Sequence, residues 1–435
     1  MSLAGRDMTC EHNRNEAIGM EGIMLKPSSS GSAMCSIRHI PYPYQAMLAI
    51  CSDLDETPDR HVYYETMRFL NTREETVMGR GLGLEVGNTI YFDMPPDQFA
   101  YWNTDDTGRA MVRDLIRSGH IDCLHSYGDL ATTRGHVGRT LDELNRHNCH
   151  IETWVDHGTA PTNFDGVIMK GSGDVPGSPA YHADLTLGSG VKYIWRGRVT
   201  SVIGQNTERN LSGLWNVSHP LSSGKTVLKE FAKGMIGRYG NQKYAMHADN
   251  KILRKATLRD GQKTNEFMRC NPHWGGVGLS ATAMGIPDIL VEAMLQKLVK
   301  RQSLCILYTH LGKIGNNPKI FNDKTKQAFS LLARFMLEKK ILVTTTRRLL
   351  GYCRTKNEIS VATTFTSNDF HINIFHMGSK DDLEGLTIYI PKEKKIKIWV
   401  NQKEILTFQQ NPPDQTGQAS ISLPWQKMEF PQRVH

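Results

Sequence analysis

Short apolar runs and helical spacings take turns along most of this chain. Ala46-Met-Leu-Ala-Ile-Cys51 predicts a buried strand that ends at polar Ser52-Asp53. Residues 61–72 follow with Tyr63, Met67 and Leu70 on one side of a helix. Met111 to Arg117 predicts a second helix, closed by Ser118-Gly119, and Ile121 to Leu124 a second strand. Thr140 to Asn148 and Ile151 to Val155 repeat the pair. Between about 160 and 280 the pattern blurs among Gly, Asn and Ser. It returns as a helix over Ile286–Lys300, a strand over Ser303–Tyr308, a helix over Lys324–Lys339 and a strand over Ile341–Thr344, with a closing helix from Arg347. This rhythm predicts parallel βαβ units.

From about 358 the period changes to two. Glu358-Ile-Ser-Val, His371-Ile-Asn-Ile, Leu386 to Ile390 and Lys395 to Val400 read as short antiparallel strands of a small C-terminal β domain over 356–435. Residues 1–36, rich in Met, Ser, Gly and Asn without a steady period, read as a mobile arm. That leaves 37–355 for an α/β body with an irregular insertion at about 160–280. No repeat of solenoid length is present.

Composition narrows the class only a little. In 435 residues, 39% hydrophobic and 22% charged, there is enough apolar matter for a real core. A net charge of +8 is thinly spread and comes with no nucleic-acid recognition signature, so no nucleic-acid partner is expected. The eight cysteines are scattered without a CxxC pair, and several lie in apolar runs, which predicts reduced, buried thiols. No run is long enough for a membrane span, and the first 30 residues lack the apolar core of a signal peptide. A cytoplasmic protein is the expectation.

Ionisable residues cluster where predicted strands end. Asp53 and Asp55, spaced by two, would share a face of the chain and supply a base and a cation ligand; a solvated loop or a helix cap at Asp55 or Thr57 is the plainer alternative. His125 and Asp129, in His125-Ser-Tyr-Gly-Asp129, bring imidazole and carboxylate donors suited to a divalent ion. Asp156 and His157 follow the next strand and could form an acid/base pair or contact substrate. His310 follows the strand after them and could act as a general acid, although a single histidine among 17 is ordinarily structural. Tyr127, Trp154, Trp102 and Trp274 could stack on sugar faces, against the commoner role of packing. In βα barrels, strand ends of this kind share one catalytic face.

In this order the motifs resemble the polysaccharide deacetylases, the NodB-like carbohydrate esterases. Gly119, His120, His125 and Ser126 match the family's Gly-His-x4-His-Ser/Thr segment; Asp53 and Asp55 resemble its acidic pair, and His310 its late Leu-x-His. The resemblance spans about 46–350. It implies a distorted (β/α)7-type barrel of the glycoside hydrolase/deacetylase kind, acting on an acylated glycan or glycan precursor with a divalent metal, zinc above all. It also implies Asp53 as base, Asp55 and His125 as metal ligands with Asp129 where the family has its second histidine, and His310 as acid. The departures are the leucine between the two acids, Asp129 itself, Asp156-His157-Gly158 at the Arg-Pro turn and Tyr308 at the late leucine. A catalytically altered carbohydrate-binding or scaffolding barrel is one alternative. A metal-independent barrel glycosidase using Asp53 or Asp55 with Glu56 or Asp156 is another.

Overall fold

The computed structural model describes residues 35–158, 160–272, 281–314, 319–365, 369–378, 380–391 and 395–432. Apart from Cys35 and Ser36, the arm expected at the N-terminus lies outside these residues, and so does Trp274.

Strand β1 (Ala46–Ser52) is buried at every position, the mark of a strand covered on both faces. Ten further strands join it. They are β2 (Gly87–Ile90), β3 (Ile121–His125), β4 (Thr153–Val155), β5 (Tyr193–Trp195), β6 (Val199–Thr200), β7 (Leu253–Thr257), β8 (Lys263–Phe267), β9 (Arg269–Cys270), β10 (Leu304–Thr309) and β11 (Ile341–Thr344). They run in the order β6-β9-β10-β1-β2-β3-β4-β5-β8-β7, with β11 also paired to β1. All these pairings are parallel except that of β7 with β8. β1 pairs with β11 through Ala46 to Ala49 and with β2 only at Cys51 and Ser52.

Alternation along β1 shows how the sheet is shaped. Met47, Ala49 and Cys51 pack with Cys123, Val155, Tyr193, Trp195, Phe267, Leu304 and Leu342, side chains from strands far apart in the sheet order. They meet only because the sheet curls around a shared interior. The fold is a mixed α/β structure built on a curled, half-barrel parallel sheet. Ala46, Leu48 and Ile50 point the other way, into a second apolar cluster.

Helices α1 (Arg60–Asn71), α2 (Asp106–Arg117) and α3 (Arg134–Arg146) cover one stretch of the outside, and α4 (Ala183–Gly188) follows β4. α1 starts at Asp59, whose carboxylate accepts from Val62 N at 2.9 Å, so the cap considered at Asp55 or Thr57 lies further along the chain. The blurred middle holds α5 (Pro220–Arg238), α6 (Ala245–Asp249) and the β7–β8 hairpin. The helix expected over Ile286–Lys300 is two pieces, α7 (Ile286–Ile289) and α8 (Glu292–Lys300), because Val291 between them is extended at φ −99° and ψ 155°. α9 (Asp323–Leu337) and α10 (Thr346–Glu358) complete the body, and α10 packs Leu349, Leu350, Tyr352 and Cys353 into the interior of the curled sheet.

α5 faces the protein with Ser223, Thr226, Glu230, Gly234 and Gly237. The Glu230 carboxylate accepts from Thr200 Oγ1 at 3.0 Å, Ser201 N at 3.3 Å and Lys233 Nζ at 2.7 Å. Burial alone would raise its pKa, but His247 and Lys233 beside it outweigh that and hold it at about 2, against an ordinary 4.5. A carboxylate depressed in the folded state stabilises above its unfolded pKa and stops doing so as pH falls through its folded one. Stability should therefore drop by about 3 kcal/mol between pH 4.5 and 2 on this account. Thermal melts of Glu230→Gln across that window should show a flatter profile than the native chain; equal slopes would remove Glu230 as the cause.

Beyond α10 come β12 (Ser360–Phe365), β13 (Asp369–Phe375), β14 (Thr387–Tyr389), β15 (Lys395–Val400), β16 (Lys403–Ile405), β17 (Gln409–Asn411) and β18 (Ser420–Ser422). They form two small sheets, β12-β13-β15-β16 and β14-β18-β17, around Phe370, Ile372, Ile388, Ile398 and Ile421. The expectation of antiparallel strands fails at one place: β13 and β15 are parallel. Period-two alternation is the same in both arrangements, and the intervening β14 makes a crossover long enough for the parallel one. The last described residues return to the α/β body. Trp425 lies under the Arg348 guanidinium at 4.1 Å, and Phe430 packs on Tyr64 and His120.

Candidate active site

Eight side chains from the ends of several strands meet at the C-terminal side of the curled sheet, the face where parallel barrels carry chemistry. Asp53 and Asp55 lie just past β1, not on it, and both approach His125 at the end of β3. Asp53 Oδ2 is 3.8 Å from His125 Nε2, and Asp55 Oδ1 is 3.8 Å from His125 Nδ1. Tyr91, just past β2, stacks on the His125 ring at 4.5 Å and donates its hydroxyl to Asp55. Burial pushes the His125 pKa down to about 4, so the ring is neutral at pH 7.

The turn after His125 is unusual. Ser126 (φ 57°), Tyr127 (φ 76°) and Gly128 (φ 102°) are all left-handed. A Cβ at Gly128 would sit 2.1 Å from the Asp93 carbonyl oxygen, so only glycine fits there. The strained run sends Tyr127 into the core, where its hydroxyl bonds Thr186 and its ring meets Trp154, and it returns Asp129 to the site.

Asp129 holds a different place from the one expected of it. Its Oδ1 is 2.9 Å from His157 Nδ1, while His157 Nε2 is 3.5 Å from Asp55 Oδ1. The imidazole thus stands between two carboxylates, with Asp129 behind it. Burial would lower the His157 pKa, but the hydrogen bonds to Asp129 and Asp55 raise it to about 10. His310 closes the group on the other side. Its Nδ1 donates to the Ala281 carbonyl at 2.6 Å and its Nε2 is 3.1 Å from Asp55 Oδ2. Burial opposes protonation there, yet the Asp55 contact raises the His310 pKa above its ordinary value. Burial would likewise raise the Asp55 pKa; His157, His310 and His125 together pull it well below the carboxylate range.

Arg269, on the two-residue strand β9, is, like Tyr91, a component that the sequence motifs do not reveal. It is fully buried and donates from Nη1 to Asp53 Oδ1 at 2.6 Å. Its guanidinium lies against the rings of both Trp195 and Tyr308, 3.5 and 4.2 Å from their centroids. Burial would lower its pKa, but Asp53 more than offsets this and the group is firmly cationic. Cation–π contacts of this desolvated kind contribute about 2 kcal/mol.

Several expected site residues lie elsewhere. Asp156 is fully buried and accepts from Trp154 Nε1 and from the backbone N–H groups of Phe164 and Asp165. It ties down the loop that carries His157 and does not pair with it. Asn163 completes the anchoring, since its Oδ1 accepts from His157 N at 2.9 Å and its Nδ2 donates to His157 O at 3.0 Å. Trp154 and Tyr127 are core residues at 0% exposure, so neither offers a face to a sugar. Trp102 is packed against the same core, under Arg139. His120 stands before β3, at the opposite end of that strand from His125, bonded to Ser118. Glu56 turns outward to Lys313. Neither Glu56 nor Asp156 therefore faces Asp53 or Asp55 as a glycosidase pair would require.

The arrangement offers a carboxylate under a fixed cation, a neutral imidazole, and two raised-pKa imidazoles within one small volume. Among the described residues, no group of three or more His, Cys, Asp or Glu side chains is placed so that it could hold a metal ion; at this site the side chains contact one another through ion pairs and hydrogen bonds. No described helix is long and apolar enough to cross a membrane. The seven described cysteines are free thiols, six of them buried. No protein-family model, curated protein or solved structure matches this chain.

Proposed function

We propose that this chain is a divergent polysaccharide-deacetylase-like hydrolase, built as a distorted (β/α)7-type barrel with a small C-terminal all-β domain. Its reaction would be metal-dependent removal of an acetyl group from the nitrogen of a glycan or glycan precursor. One observation carries the reading: Asp53, Asp55, His125, His157 and His310 converge on one point at the strand ends.

The donors suit a divalent ion with one change of ligand. Asp55, His125 and His157 would hold it, and Asp129 would orient His157 from behind. The Asp55 oxygen lies 3.8 and 3.5 Å from the two imidazole nitrogens, close to the roughly 3.4 Å between neighbouring ligands of a tetrahedral zinc ion. A carboxylate behind a ligating histidine is the usual support for such a ring. When bound, zinc or a similar ion would polarise the acyl carbonyl and acidify a water.

The chain's own residues supply the rest. Asp53 takes the proton of the attacking water at Oδ2, while Arg269 fixes Oδ1. His310, with Nδ1 anchored on Ala281, gives a proton from Nε2 to the departing amine. Arg269 also keeps positive charge close to the oxyanion that forms.

A second reading, a carbohydrate-binding barrel without turnover, draws support from the way His157 is already satisfied by Asp55 and Asp129. Metal content and acetate release from N-acetylated oligosaccharides, before and after chelation, separate the two. Near-stoichiometric metal with chelator-sensitive release is expected, and His125→Ala should lose both. A metal-free protein that binds the oligosaccharide without releasing acetate would replace the first reading with the second.

A further inference from the structure

α5 is built inside out. Its inward face is Ser223, Thr226, Glu230, Gly234 and Gly237, small or polar throughout, and its apolar side chains point to solvent. Leu221 is 90% exposed, Leu228 68% and Phe231 51%, with Ile236 beyond them and Trp215 exposed just before the helix. At 100° per residue, Leu221, Leu228 and Ala232 centre on the side opposite Glu230. A water-soluble surface normally shows the reverse pattern, and a contiguous exposed apolar stripe marks an interaction face.

Charge indicates what covers it. Lys225 and Lys229 flank the stripe on one side and Arg238 on the other, all exposed. The only carboxylate of the helix, Glu230, is buried and already engaged. The outer face of α5 is therefore apolar and purely cationic. A second copy of this chain would bring like charges together across the contact. A bilayer bearing anionic headgroups meets both features at once: the stripe enters the acyl boundary while the lysines meet phosphate and carboxylate groups. Trp215 and Tyr239, exposed at the two ends of the segment, are the residue types that settle at such an interface.

We propose that α5 is an interfacial helix that docks this protein on the surface of an anionic membrane. It lies flat there, since no described helix is fit to span. The buried Glu230 anchors its inner face to Thr200 and Ser201, at the end of β6 and just beyond it, so docking orients the edge of the central sheet against the bilayer. The proposal stands independently of the reaction proposed above.

Sedimentation of the full chain with vesicles tests it, comparing phosphatidylcholine alone with phosphatidylcholine plus phosphatidylserine. Binding to the anionic vesicles, weakened by salt, is expected. Lys225→Ala with Lys229→Ala should reduce partitioning roughly fivefold per lysine. Leu221→Glu with Leu228→Glu should abolish it, with the melting temperature unchanged because both positions are exposed. A native chain that stays in the supernatant at low salt overturns the proposal, as does undiminished binding by the double glutamate variant. A dimer seen by light scattering and dissolved by that variant, with no vesicle binding, would assign the face to self-association instead.

Discussion

Replacing Arg269 by methionine is expected to lower the unfolding free energy by about 3–5 kcal/mol, the cost of stranding a buried charge. Asp53 is 2% exposed, and the Arg269 guanidinium 2.6 Å away is the one cation in contact with it among the described residues. Methionine keeps much of the volume against Trp195 and Tyr308, so the loss reports charge more than packing. Denaturant titration gives the number directly. A cycle with Asp53→Asn sharpens it, because removing both charges should cost clearly less than the sum of the single losses. Strict additivity would mean that the two groups are not energetically coupled, whatever their separation.

Asp53→Asn should reduce acetyl release by about 10²–10⁴-fold, the range for loss of a positioned general base. Metal content should not change, since Asp53 is held by Arg269 and is not one of the proposed ligands, although it approaches His125. Asp55→Asn should behave differently, losing metal and activity together, because its two oxygens face His125, His157 and His310. This contrast separates two acids whose roles their spacing leaves open. An Asp53→Asn protein that sheds metal while Asp55→Asn retains it would exchange the two assignments.

The half of the site nearest the N-terminus is legible because strand ends leave a local pattern. An apolar run that stops at Ser52-Asp53, or at His125, announces its position without any knowledge of partners. Arg269 leaves no such pattern. Its strand is two residues long, and a charged residue reads as surface until the rings of Trp195 and Tyr308, 74 and 39 positions away, are seen to lie against it. Its one local hint is the buried, apolar Phe267-Met268 before it. His157 is visible as a candidate, but its pairing with Asp129 depends on three successive left-handed residues that composition signals only at Gly128. Trp154 and Tyr127 fail as sugar platforms for the opposite reason. Aromatic residues near a site are read as ligand contacts when they are filling the layer beneath it. The parallel pairing of β13 and β15 could not be read at all, since alternation fixes which face a side chain takes and not the direction of the neighbouring strand.

The position of β1 in the sheet bears on how the chain is made. Its partners β10 and β11 lie more than 250 residues downstream, pairing Met47 with Leu304 and Ala46 with Ile341. At roughly 5–20 residues per second, a ribosome needs on the order of 10–50 s to deliver them after β1 has emerged. During that interval, a largely apolar strand bound for the centre of the sheet has at least one bare edge, the kind of edge that recruits other chains. The nascent protein thus passes through a window in which Ala46–Ser52 is a natural chaperone target. Slower synthesis of the segment before Leu304 would widen that window and favour aggregation without altering a single native contact.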